Sequence, residues 1–139
     1  MSIKKLNPYL MFNGTAEKAI KLYETALGAK TERISRYGET PGQNVPAEHK
    51  NLVIHASLLI GQGVLMMSDA TPDRPVATES NVQISLDFDD AADMAAKFEA
   101  LAAGGKVRLP LQDMFWGARF GMLTDAYGVQ WMFNCDKKS

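Results

Sequence analysis

Few side chains in this sequence are equipped for chemistry at neutral pH, and their spacing narrows the choice further. His55 lies in VIHASLLI and His49 in a polar stretch, and these are the two histidines. An imidazole titrates near neutrality and can move a proton or bind a metal. Strand alternation sets His55 on one face with Val53 and Ser57, which equally suits a hydrogen-bonded histidine that only supports its strand. A His49/His55 metal pair has no further His or Cys beside it, and a stable site needs more ligands. Asp69 closes MMSD and Asp125 begins DAYG. Either carboxylate could serve as a general base at a strand end. The commoner use of Asp before a glycine-containing turn is to accept backbone N–H groups. Cys135, the single cysteine, has no histidine or basic residue directly beside it, so a buried or inert thiol is expected over a nucleophile.

The stretch from Pro110 to Asn134 concentrates another kind of chemistry. It holds both tryptophans, Trp116 and Trp131, and three of the six phenylalanines, Phe115, Phe120 and Phe133, with polar groups set among them. Aromatic walls with a few fixed polar groups make a small-molecule pocket, and they also make an ordinary sheet core. Arg119 beside Trp116 and Phe120 could hold an anion through its fork of donors or stack on a ring. Met66, Met67, Met122 and Met132 suit core filling, or an adaptable apolar pocket.

These groups need a scaffold, and 139 residues suffice for one domain with a core of its own. Fifteen basic and sixteen acidic residues leave a net charge of −1 without a basic run, which argues against nucleic acid or an anionic membrane as partner. No apolar run reaches the roughly 20 residues of a membrane span. The N-terminus lacks a signal-peptide pattern, and one cysteine fits a reducing compartment, so a cytoplasmic location is expected.

Residues 6–12 read as a strand, and Asn13-Gly14-Thr15 as a turn and helix cap. Apolar residues at 16, 19, 20, 23 and 27 mark one helical face, ended by Gly28. A strand to about Tyr37 follows, then a Gly/Pro-rich mobile loop over 38–49. LVIHASLLIG and GVLMMSDA are two strands joined at Gly61-Gln62-Gly63. That glycine pair lacks the strand-to-helix setting of a phosphate cradle. After a polar connection over 71–80 the plan repeats: a strand at 82–88, a helix capped by Asp89-Asp90 and ending at Gly104-Gly105, an extended stretch, and strands near 118–124 and 128–135.

Shifting residues 10–30 by 76 positions gives eight identities in 21 pairs, among them Leu10/Leu86, Phe12/Phe88 and Gly28/Gly104. Later the shift is 65, matching Leu58 with Leu123, Gly63-Val64 with Gly128-Val129, and Met67 with Met132. The fold class is therefore α+β: two βαβββ modules, about 6–70 and 81–136, within a single 1–139 domain. Each sheet gives one face to its helix, and two curved mixed sheets are expected to enclose a cleft with the other.

This duplicated plan is similar to the vicinal oxygen chelate superfamily, which includes glyoxalase I, extradiol dioxygenases and the fosfomycin and bleomycin resistance proteins. NPYLMFNGTAEKAIKLYETALGAK, HASLLIGQGVLMMSDA and DMFWGARFGMLTDAYGVQWMFN resemble its PhnB-like branch, across nearly the whole chain. His55 resembles a position of that branch, which usually has Pro where Ala126 follows Asp125. The superfamily places a metal ligand on each of four strands, usually His, Glu or Gln. Its glyoxalase pattern falls here on Pro8 or Tyr9, Met67, Gln83 and Met132. Only Gln83 suits a hard or borderline ion, so the resemblance implies a lost metal site and no cofactor. PhnB-like sequences sometimes bear a ubiquinone methyltransferase label, but no glycine-rich cofactor loop of that kind is present, so a methyltransferase is rejected.

The expected function is metal-free binding of a small, partly apolar organic molecule by Tyr9, His55, Met67, Gln83, Phe115, Trp116, Arg119, Phe120 and Trp131, with His55 and Asp69 as the weak catalytic candidates. Two alternatives stay open. One is a metal-dependent glyoxalase or dioxygenase with ligands displaced to His55, Gln83 and Asp69. The other is a structural or regulatory dimer with a vestigial cleft. A homodimer is what the family implies.

Overall fold

Each half of the chain follows the same order, strand, helix, then three strands. The computed structural model describes residues 2–42 and 44–137. Unit one, Met1–Val76, contains β1 (Tyr9–Phe12), α1 (Ala16–Leu27), β2 (Lys30–Arg36), β3 (Val53–Ile60) and β4 (Gly63–Asp69). Unit two, Ala77–Ser139, contains β5 (Ile84–Phe88), α2 (Ala91–Ala102), β6 (Lys106–Asp113), β7 (Ala118–Thr124) and β8 (Gln130–Asp136). The sheet orders are β1-β4-β3-β2 and β5-β8-β7-β6, the same arrangement twice. In each, the first strand pairs parallel with the last and the other pairings are antiparallel. Both sheets are therefore mixed, and the α+β class with duplicated modules is correct. Among the described residues no helix is long and apolar enough to cross a membrane.

The apolar spacing of α1 buries Ala16, Ala19, Ile20, Tyr23, Ala26 and Leu27 against its sheet. Gly28, at φ 71°, takes the left-handed conformation that closes the helix, and its N–H reaches the Glu24 carbonyl. The start of α1 departs from the expected cap. Thr15 makes no side-chain cap bond; Asp69, from the end of β4, accepts from the Ala16 amide at 2.9 Å instead. In unit two the cap is local: Asp90 Oδ1 accepts from Ala92 N at 2.9 Å and Asp93 N at 3.1 Å. Met94, Phe98 and Leu101 of α2 are buried, and Phe98 meets Phe133 edge-on at 5.1 Å. Gly121 lets α2 come this close to β7, because a Cβ there would lie 3.0 Å from Phe98 and 2.9 Å from Leu111.

The 38–49 stretch, expected as a mobile loop, contains two one-turn 3-10 helices, Tyr37–Glu39 and Ala47–His49. The Gly38 amide bonds the Lys50 carbonyl at 2.9 Å, and Tyr37 N bonds Leu52 O at 3.0 Å. These bonds tie the excursion's two ends together. Gln43, at its tip, lies outside the described residues.

Register corrects the sequence alignment of the two halves. Leu10 pairs with Met67, while Leu86, 76 positions on, pairs with Phe133. Ala56 pairs with Met67 and Gly121 with Phe133, which agrees with the 65-residue shift for β3 and β7 only. For β4 and β8 the shift is one residue more. The cause is the turn: Gly61-Gln62 spans the first hairpin, whereas Ala126-Tyr127-Gly128 spans the second, beyond the Asp125 N–Val129 O bond of 2.8 Å. A one-residue slip moves a strand residue to the opposite face. The counterpart of Met132 is thus Met66, and that of Met67 is Phe133.

Candidate functional site

Each sheet has a face covered by its helix and a face turned away, and cross-strand pairing assigns every candidate to one of them. In unit one Asp69 reaches the first residue of α1, so Met67 and Leu65, two and four residues back, face the helix as well. Met67 is fully buried there, which removes it from the expected ligand-binding set. Tyr9, Met11, His55, Met66 and Ser68 lie on the other face. Two contacts bind that group together: Tyr9 Oη to His55 Nδ1 at 3.1 Å, and Ser68 Oγ to Met11 Sδ at 3.1 Å. The Tyr9 and His55 rings are 5.7 Å apart, and Tyr9 stays 43% exposed. This phenol–imidazole pair sets a proton-carrying group beside the partly exposed side chain of Met11 on the same face.

The Asp69 carboxylate is engaged with backbone amides. It accepts from Ala16 N and Val53 N, both at 2.9 Å, and the residue is 2% exposed. Two charge-assisted bonds to backbone fix it as the joint between α1, β3 and β4. Asp125 does related work in unit two, accepting from Tyr127 N, Val129 N and the indole N–H of Trp131. Trp131 points toward α2 and is fully buried, so it belongs to the core and lines no binding surface.

In unit two the face away from α2 carries Gln112, Phe120, Met122, Met132 and Asn134, as the pairs Gln112/Phe120, Phe120/Asn134 and Met122/Met132 show. Trp116 meets Phe120 edge-on at 5.6 Å, and Phe115 meets Trp116 at 5.1 Å. Phe115 is 95% exposed at the β6–β7 hairpin tip, so it extends past the sheet and forms no wall. Arg119 pairs across from Cys135, on the α2 side. Its Nη1 bonds Asp113 at 3.2 Å, and Lys137 bonds the same carboxylate at 2.8 Å. Those cations, Lys137 foremost, hold Asp113 below the usual carboxylate range. Arg119 is therefore engaged, and it faces away from the apolar group it was expected to serve.

The shallow depression beside Arg119, at the start of α2, is lined by Asp89, Asp90, Asp136, Lys137 and Cys135. Three carboxylates there, one already spent on capping, make a poor anion site.

One functional group escaped the sequence reading. Arg108, at an irregularity in β6 between Val107 and Leu109, sends its guanidinium across the sheet. Nη2 donates to Gln83 Oε1 at 2.8 Å, Leu123 O at 3.0 Å and Trp131 O at 3.4 Å, and Nη1 lies 3.9 Å from Met122 Sδ. Gln83 is thus a partner of Arg108. The signal in sequence was an arginine set among the apolar residues of VRLPL.

The register also tests the donor set for a metal. Where the outer and central strands pair, the positions facing away from the helices are Tyr9/Met66 and Met11/Ser68 in unit one and Ser85/Met132 and Asp87/Asn134 in unit two. These positions carry no imidazole and a single carboxylate, Asp87, and the thioethers, hydroxyls and amide beside it suit a hard or borderline divalent ion poorly. Among the described residues no group of three His, Cys, Asp or Glu side chains converges on one point.

Residues 5–133 match the family model of the Glyoxalase/Bleomycin resistance protein/Dioxygenase superfamily. Protein YjdN of Escherichia coli (strain K12) is 34% identical over 142 residues, covering 96% of each chain. The crystal structure of protein PA1353 from Pseudomonas aeruginosa is 40% identical, with a TM-score of 0.87 over 98% of this chain and 100% of that one. A PhnB protein from Bacillus cereus, whose name also proposes a 3-demethylubiquinone-9 3-methyltransferase activity, is 26% identical with a TM-score of 0.76, over 95% and 99% of the two chains. A duplicated βαβββ fold, a family model spanning nearly the whole length and relatives of similar length together make this chain a member of the Glyoxalase/Bleomycin resistance protein/Dioxygenase superfamily, with PhnB-like neighbours.

Proposed function

We propose that this protein binds small, partly apolar organic molecules without a metal, on the sheet faces turned away from α1 and α2. The observation that carries the reading is the makeup of the helix-distal pairs, Tyr9/Met66 and Met11/Ser68 in unit one and Ser85/Met132 and Asp87/Asn134 in unit two. Apart from the one carboxylate of Asp87 they offer thioethers, hydroxyls and an amide, where a metal enzyme needs several imidazole and carboxylate ligands. On unit one's face Met11 stands beside the polar His55, and on unit two's face Phe120 and Met122 stand beside Gln112 and Asn134; in each unit the apolar groups repack at little cost and the polar ones can orient a ligand. Sequestration suits such a lining, whose thioethers and rings can close around an apolar body. A cytoplasmic homodimer, as the family resemblance implies, is part of the same proposal.

The test is a thermal-shift series. Ni²⁺, Mn²⁺ and Fe²⁺ should leave the melting temperature unchanged, whereas a bound divalent ion at about a hundred times its Kd would add about 2.7 kcal/mol of stability. A neutral apolar probe, N-phenyl-1-naphthylamine, should bind and fluoresce. Stoichiometric metal in protein purified without chelator, or a melting temperature that climbs with one of these ions, would sink the proposal.

A further inference from the structure

Arg108 is a cation without a counter-ion. Every acceptor that holds it is neutral: the Gln83 amide oxygen, the carbonyls of Leu123 and Trp131, and the Met122 thioether at 3.9 Å. None of the ion pairs among the described residues includes it. Its Nε is out of contact with solvent and has no hydrogen-bond partner. The one carboxylate on that side of β5, Asp87, pairs with Asn134 and lies four residues from Gln83, roughly 13 Å along the strand. A guanidinium partly withdrawn from water and met only by neutral acceptors leaves its charge uncompensated.

Its setting says what would compensate it. Nη2 is fully committed, while Nη1 has two hydrogens and only a long thioether contact. Beside Nη1 lie Met122 and its cross-strand partner Met132, with Phe120 two residues along β7 on the same face. A positive donor at the border of an apolar, polarizable surface matches a molecule with an apolar body and one acidic group. Gln83 sets the guanidinium's orientation from the segment before β5, and so acts as a positioning residue.

We infer that Arg108 is the charge anchor of a site for small organic anions on unit two's α2-distal face, where Nη1 takes a carboxylate or sulfonate oxygen and Met122, Met132 and Phe120 take the apolar body. This rests on the small-molecule reading above and narrows it to one chemical class. It also gives Arg108 the part that sequence reasoning had given Arg119.

The experiment compares two fluorescent probes with the same aromatic body, anionic 8-anilinonaphthalene-1-sulfonate and neutral N-phenyl-1-naphthylamine. The intact protein should bind the sulfonate about tenfold or more tightly than the amine, the size of one charge-assisted hydrogen bond. Arg108→Gln should erase that preference. In methionine-methyl NMR spectra the sulfonate should move Met122 and Met132 and leave Met94, buried under α2, in place. The Arg108 Nε–Hε resonance of the unsubstituted protein gives an answer that needs no variant, since it should move with the sulfonate and not with the amine. A sulfonate preference that persists in Arg108→Gln, equal binding of both probes, or an immobile Arg108 resonance overturns the inference and leaves the small-molecule reading standing. Failure of both probes to bind the unsubstituted protein overturns the small-molecule reading itself.

Discussion

Trp131 donates its indole N–H to Asp125 Oδ2 over 2.9 Å, and both side chains are buried. The other carboxylate oxygen accepts from Tyr127 N at 2.8 Å and Val129 N at 3.1 Å. One side chain thus closes the β7–β8 turn and anchors the largest ring of unit two's core. Asp125→Asn keeps the size and one acceptor but turns an NH₂ toward either the indole or the turn amides. The expected loss is about 2 kcal/mol, because a buried donor is left facing a donor. In a Trp131→Phe background the same change should cost about 1 kcal/mol less, since that donor is gone. Denaturant midpoints of the four proteins check this. Strictly additive losses would show that the indole bond contributes nothing.

Asp69 makes the equivalent joint in unit one with different partners, the amides of Ala16 and Val53. Asparagine can accept at one of these and not at both. Asp69→Asn should therefore destabilise by about 2 kcal/mol and speed hydrogen exchange at Ala16 or Val53. Binding of N-phenyl-1-naphthylamine should be unaffected at temperatures where the variant is folded. Lost binding with stability intact would return Asp69 to the list of functional groups.

How much of this was legible follows from the range of each interaction. The limits of α1 could be read because apolar spacing and Gly28 are local signals. Both hairpins could be read from their glycines. The face of Met67 could not: Met66-Met67 and Trp131-Met132-Phe133 are apolar at every position, so alternation says nothing, and one extra turn residue decides which side chain turns toward the helix. The cap of α1 was misassigned to Thr15 because the group that performs it is 53 residues away. Arg108 carried no reading in sequence, since its partners at 83, 122, 123 and 131 converge only in the folded sheet.

Arg36 links the end of β2 to α1 through Glu17, Nη1 to Oε1 at 2.8 Å, and also bonds the Asn51 carbonyl. The hydrogen bond from Arg36 is the main reason the Glu17 carboxyl lies below the usual range. A carboxyl lowered in the folded state adds stability above its unfolded pKa, and that stability is lost as pH falls through the folded value. The window is below the ordinary glutamate range. Glu17 is 45% exposed, so screening keeps the contribution under about 1 kcal/mol. Melting temperatures measured from pH 6 down to pH 3 should fall a little less steeply for Arg36→Gln than for the parent. Parallel curves would show that the pair adds nothing.

Tyr9 and His55 make a prediction specific to the unit-one face. The phenol lies 3.1 Å from Nδ1. When the imidazole is neutral, Tyr9 O–H donates to a bare Nδ1, which leaves the ring proton on Nε2. Long-range ¹⁵N–¹H spectra of the neutral imidazole should show His55 mainly as the Nε2–H tautomer. Tyr9→Phe removes the donor and should shift the tautomer ratio about fivefold toward Nδ1–H, the worth of one partly exposed hydrogen bond of about 1 kcal/mol. The variant should lose no more than that in stability, because Tyr9 remains 43% exposed and its ring contact with His55 survives as phenylalanine. A tautomer ratio that does not respond to Tyr9→Phe would mean that the phenol does not fix the imidazole, and His55 would then lose its claim to be oriented for proton transfer.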